Sequence, residues 1–195
     1  VKVCEFSKPD YAQSYIKDPM HHALVPSNAR QLKEELIKRW ESIQYAIEDL
    51  PHEYVNDGKV LVITSGVAYK YVKEALRDLE VHVSTLNVIT PVPLPRKLIA
   101  NAVANSDKVV VVEEGDPVVE LQVKEVLYDE GIRVPVYGKA EGFFTRVGEL
   151  TLLNVEEGLA KVLGVGLRGI RDEAQHISAP PRPPVFCPGC PHAAS

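Results

Sequence analysis

Apolar and polar positions follow three different rhythms along the chain. The opening "VKVCEF" alternates and ends at a turn-like "SKPD", which predicts a short strand. An irregular stretch runs through "DPMHHALVP". Leu32, Leu36, Trp40, Ile43, Ile47 and Leu50 then recur at spacings of three and four, predicting a helix over 28–50. Ser27 is placed to cap it and Pro51 to stop it. Such a stripe is a packing face, so Trp40 is read as part of that face rather than as a cofactor contact.

From Lys59 the rhythm becomes a regular exchange of strands and helices. "KVLVIT", "VHVSTLNVI", "KVVVVEE" and "RVPVYG" are near-continuous apolar runs, as expected of strands buried on both faces. Between them lie helical patterns. Tyr69, Val72, Leu76 and Leu79 share one face of the first. Pro95 opens the second, Asp116 and Pro117 cap and open the third, and Gly131 ends that one as a left-handed residue. After "KAEGFFTRVGEL", Asn154 and Glu157 stand at capping-box spacing before a last helix that Gly164 terminates. Helical crossovers joining buried runs define an α/β three-layer fold with a mostly parallel sheet. Three units are expected: residues 1–56, a strand, loop and long helix packed on the main domain; residues 57–164, the α/β domain; and residues 165–195, an extended proline-rich tail leading to "CPGCPH". The core is expected on Val60, Leu61, Val62, Ile63, Val109, Val110, Val111 and Val112.

Composition narrows the function. Of 195 residues 45% are hydrophobic and 25% charged, with a net charge of −5 and no basic run, which argues against nucleic-acid or anionic-membrane surfaces. No apolar stretch approaches the roughly 18 residues of a membrane span. Three cysteines, Cys4, Cys187 and Cys190, make no disulfide framework, so a cytoplasmic location is expected. The chain begins without methionine, and both ends read as cuts.

Candidate chemistry concentrates at three places. In "CPGCPH" the two-residue spacer lets Cys187 and Cys190 reach one metal, an Fe–S cluster or zinc, with His192 as a further zinc donor. Within the chain that site lacks ligands, and three readings stand: part of a site completed elsewhere, no metal at all, or a zinc or redox pair. "TSG" at 64–66 lies between a strand and a helix, where backbone N–H groups can cradle a phosphate. "EEGDP" at 113–117 sits at an equivalent strand end. If the two strands are neighbours at a topological switch, Ser65 and the Glu113, Glu114 and Asp116 cluster face one crevice, a possible small-ligand or nucleotide site. His21 and His22 are read as exposed loop histidines with no acidic partner at helical spacing.

Taken together, "VPSNAR", "ITSGVAYKYVKEAL", "VVVVEEGDPVVE", "RVGELT" and above all "PPVFCPGCPHAAS" resemble the large subunit of indolepyruvate:ferredoxin oxidoreductases. The resemblance covers nearly the whole chain and is weakest over residues 41–58. It implies an enzyme that decarboxylates arylpyruvates on thiamine diphosphate, joins the acyl group to coenzyme A and passes two electrons to ferredoxin. In that family a pyrimidine-binding thiamine domain comes first, and a middle domain similar to the transketolase C-terminal domain follows. A pyrophosphate-binding thiamine domain and a ferredoxin-like Fe–S tail complete the subunit. This chain matches the middle domain, a five-stranded sheet in which the early strand would run antiparallel. The implied role is that of an interface and scaffold inside the large subunit, beside a smaller beta subunit. Thiamine diphosphate, magnesium and 4Fe–4S clusters are implied for the whole enzyme and none for this chain by itself; Cys187 and Cys190 are the implied cluster ligands. Two departures stand out: the thiamine motif, GDG with a later asparagine, is absent, and Ala193 stands where an arginine is expected after CPH.

Overall fold

The computed structural model describes residues 16–23 and 25–167. The opening "VKVCEF", the proline-rich stretch, and Cys4, Cys187 and Cys190 lie outside the described residues.

Helices α1 (Pro19–His22) and α2 (Pro26–Ala46) come first, α2 tightening into a 3-10 turn at Ile47–Asp49. The α/β body follows as β1 (Glu53–Val55), β2 (Val60–Ser65), α3 (Ala68–Asp78), β3 (Ser84–Val88), α4 (Arg96–Val103), β4 (Lys108–Val112), α5 (Val118–Asp129), β5 (Val136–Tyr137) and α6 (Leu152–Leu163). The five strands lie in the order β1-β3-β2-β4-β5, with β1 antiparallel to β3 and every other pairing parallel. This is the α/β architecture that the sequence predicts. Among the described residues the antiparallel position is held by β1, three exposed residues; the opening segment expected there lies outside the described residues.

Successive residues of a strand point to opposite faces, and the central strands carry apolar side chains on both. Val62, Val110 and Val112 pack under α3 and α6, against Val72, Ala75, Leu76, Val155 and Leu159. Leu61, Ile63, Val109 and Val111 pack with Leu86 and Val88 under α4 and α5, against Ile99, Val103, Val119, Val123 and Val126. Of the predicted core, Leu61, Val62, Ile63 and Val109 to Val112 are buried, while Val60 at the strand end is only half-buried. Full burial of one such side chain contributes about 1.5–3 kcal/mol, so these two layers dominate the stability of the body.

Helix ends depart from the predicted caps in four places. Helix α2 begins at Pro26, with Val25 as N-cap and no side-chain cap, because proline's fixed φ and missing N–H suit the first helical position. Ser27 therefore lies inside the first turn. Pro95 precedes α4 as its N-cap rather than opening it. The cap of α6 is Thr151, which exchanges hydrogen bonds with Asn154, so the box sits three residues earlier than the Asn154–Glu157 spacing implies. Asp116 does not cap α5, as described below. Gly131 and Gly164 do adopt the left-handed conformation expected of them, at φ 67° and 71°.

Candidate functional site

The chain leaves β2 through α3 to reach β3 on one side, and leaves β3 through α4 to reach β4 on the other. The switch point is therefore between β2 and β4. Thr64 stands opposite Val112 in the register, which brings Ser65 and Glu113 to the same carboxyl edge, as the sequence anticipates.

The side chains there are committed to a different task. Glu113 is buried, and its carboxylate accepts the N–H groups of Val119 (2.7 Å) and Glu120 (2.9 Å). It thus caps α5 from beneath, the role expected of Asp116; burial pushes its pKa up despite these donors. Asp116 instead accepts from the Arg146 guanidinium at 2.7 and 3.1 Å. Glu114 accepts the Leu150 N–H at 3.1 Å, and Lys139, itself buried, donates to the Gly115 carbonyl at 2.5 Å. Residues 138–151 are in this way fastened to 114, 115 and 116 in turn, across the crevice mouth.

A second polar layer holds that loop from below. Glu120 is wholly buried and accepts from Lys124 Nζ (2.6 Å) and the Ala140 N–H (3.0 Å), while Lys124 also meets Glu141 at 2.5 Å. Burial alone would raise the Glu120 pKa, but the Lys124 and Ala140 hydrogen bonds overcome it and hold it below the usual carboxylate range. Burial likewise opposes the charge on Lys124, and its two carboxylate partners raise its pKa in spite of it. Sequence reasoning missed Glu120. Its signal was an acid at helical spacing with the buried Val123 and Leu127, with Lys124 four residues on.

These donor sets do not fit a magnesium-held diphosphate. Both Glu113 oxygens are taken by α5, and Glu114 and Asp116 are turned to the loop. Among the described residues no group of three or more His, Cys, Asp or Glu is placed to hold a metal ion. At the "TSG" turn the Tyr69 and Lys70 amides fold back on the Gly66 and Val67 carbonyls. Tyr69, buried on α3, donates to Glu53 of β1; burial and that carboxylate push its pKa up to about 12. His21 is not without an acid: Asp18, three residues earlier, caps α1 and meets His21 Nδ1 at 2.6 Å, which lowers the Asp18 pKa.

The open surface lies elsewhere. The expected burial of the α2 stripe is not found within the described chain: Ile47 is buried, but Leu36, Trp40 and Ile43 remain about two-fifths exposed. The main attachment of α2 is at its C-terminal end. There the Glu48 carboxylate accepts the N–H groups of Lys97 and Leu98, and His52 bridges the Ile47 carbonyl and the Ile89 N–H. Further back the helix stands off the body. An open groove lies along Lys33, Leu36, Ile37, Trp40, Glu41 and Gln44, all on one face of α2. A cavity of about 140 Å³ continues from Trp40 to Leu94 and Val126.

The family model and the similar sequences agree on one family. A family model described as an indolepyruvate oxidoreductase domain matches residues 55–176. The indolepyruvate oxidoreductase subunit IorA of Archaeoglobus fulgidus is 39% identical over 98% of this chain and 30% of its own length. That of Thermococcus kodakarensis is 38% identical over 92% of this chain and 29% of its own length. The chain thus spans about three tenths of these relatives. Among solved structures, a 2-oxoglutarate:ferredoxin oxidoreductase from Magnetococcus marinus aligns with TM-score 0.47 and 17% identity, over 76% of this chain and 26% of that one. A split-gene transketolase aligns with TM-score 0.46 and 22% identity, over 60% and 42%. Because the family model covers more than half of the sequence, from β1 through α6, the chain belongs to the indolepyruvate oxidoreductase domain family.

Proposed function

We propose that this chain is the interface and scaffold domain of a thiamine-diphosphate-dependent oxidoreductase that oxidatively decarboxylates arylpyruvates, indolepyruvate among them, to aryl-acetyl-CoA. Thiamine diphosphate, magnesium and a 4Fe–4S cluster belong to the longer protein and none to this chain by itself; coenzyme A, ferredoxin and a smaller subunit are partners of the whole enzyme, in the cytoplasm. Cys187 and Cys190 enter as two sulfur donors that the chain lends to a site completed by other segments. The family membership supports the reaction class. The single observation behind the scaffold role is the division of labour on the surface. The carboxylates at the switch point fasten the 138–151 loop, whereas the α2 face offers apolar side chains to a neighbour.

Calorimetric titration with magnesium and thiamine diphosphate, and a viologen-reduction assay with indolepyruvate and coenzyme A, test this on the 195-residue chain and on the longer protein with its small subunit. The longer protein should reduce the dye; the chain alone should bind no thiamine diphosphate at micromolar concentration and reduce none. Dye reduction by the chain alone would overturn the scaffold role, and an inactive longer protein would overturn the reaction.

A further inference from the structure

The α2 face is self-complementary. Lys33, Leu36, Ile37, Trp40, Glu41 and Gln44 recur at helical spacing and line one open groove, so they form a single strip. Along the helix axis it reads basic, apolar, acidic: Lys33, then Leu36, Ile37 and Trp40, then Glu41. Leu36 is 43%, Ile37 48% and Trp40 42% exposed, three large apolar side chains side by side on one helix face with charged residues at either end. Neither Lys33 nor Glu41 has an ion-pair partner among the described residues.

Resting on the scaffold reading above, we propose that this strip is a two-fold contact between two copies of the chain. Two α2 helices run antiparallel about an axis near Ile37. That axis sets Lys33 of each copy against Glu41 of the other and brings both sets of Leu36, Ile37 and Trp40 to the centre. The contact is isologous, each residue meeting its counterpart's partner twice over. Charge selects the direction: a parallel pairing would stack Lys33 on Lys33 and Glu41 on Glu41, whereas the antiparallel one pairs opposite charges at both ends and also opposes the helix dipoles. Trp40 is the energetic centre, since a large aromatic flanked by excluded water is where binding energy concentrates in such contacts.

The test is sedimentation equilibrium of the 195-residue chain over a range of concentrations, with circular dichroism and melting to verify folding. A dimer is expected. Trp40→Asp should abolish it without unfolding the body, because Trp40 lies outside both buried layers. Lys33→Glu and Glu41→Lys should each raise the dissociation constant by about tenfold or more, through two like-charge contacts per dimer. The double variant restores opposite charges at both ends and should recover dimerisation, as should an equimolar mixture of the two single variants. A chain that stays monomeric, a dimer indifferent to Trp40→Asp, or a double variant no better than the singles would overturn the pairing and assign the strip to a different protein surface. This readout involves no turnover. A monomeric chain alongside an active longer enzyme sinks the pairing and leaves the oxidoreductase reading intact, and an inactive enzyme with a charge-swappable dimer does the reverse.

Discussion

A methyl group on residue 138 would lie 2.3 Å from Glu120 Oε2 and 2.6 Å from its Cδ, closer than any real contact. Glycine is needed there because the buried carboxylate that receives the Ala140 N–H occupies the space. Gly138→Ala should therefore cost about 1–3 kcal/mol, the range for forced overpacking, as measured by urea unfolding. The same carboxylate sets a pH dependence. The folded pKa of Glu120 is lowered, so its contribution to stability is present above the ordinary carboxylate range and is lost as pH falls through that lowered value. Glu120→Gln should then lose more stability at neutral pH than in acid, and equal losses at both would show that the ion pair with Lys124 is not what holds it. Tyr69 behaves oppositely. Its folded pKa is raised to about 12, so its contribution is fully present below the ordinary tyrosine pKa and is lost as pH rises from there through about 12. A spectrophotometric titration should show one tyrosine ionising late, and Tyr69→Phe should remove that step. None of this was legible beforehand, since a lone Glu in a helix and a Tyr on its buried face look like ordinary composition until the β1 and loop partners, distant in sequence, are placed beside them.

Helices were readable where their apolar stripes are buried, and their ends were misread where two spacings compete. Thr151 and Asn154 stand three apart, the same spacing as Asn154 and Glu157, from which the box was expected. The fold chooses the first because Asn154 is free to return a bond to the Thr151 N–H at 2.8 Å. Removing that cap with Thr151→Ala should destabilise the protein by about 1 kcal/mol, visible as a small fall in the melting midpoint. Deeper in α6, Gly158 faces the Phe144 ring, whose Cε1 would stand 2.2 Å from an added Cβ. Helix and loop meet there with no room between them. For α5 the sequence pointed to the nearest acid, Asp116, but the cap came from the strand end, where Glu113 lies beneath the first turn.

At the scale of the whole molecule the sheet was legible because β2 and β4 lie inside it with apolar residues on both faces, in runs too short for a helix. Strand β1 was not, being three exposed residues whose only strand signal is their pairing with β3. Val111→Asp should cost more than about 4 kcal/mol, since the charge would be buried with no partner; a melting point within a degree or two of the parent would remove β4 from the core. The periodicity of α2 identified an apolar face but carried no information on what covers it, because the same spacing serves a body, a second copy or another protein. Its attachment has a mechanical consequence. Fixed at Ile47 and at the Glu48 contact with α4, the 21-residue helix is a rod about 30 Å long. A swing of about 10° at that pivot carries the far end through about 5 Å by the same geometry. A displacement of α4 too small to disturb the sheet is thereby magnified into one large enough to make or part a contact at the distal turn.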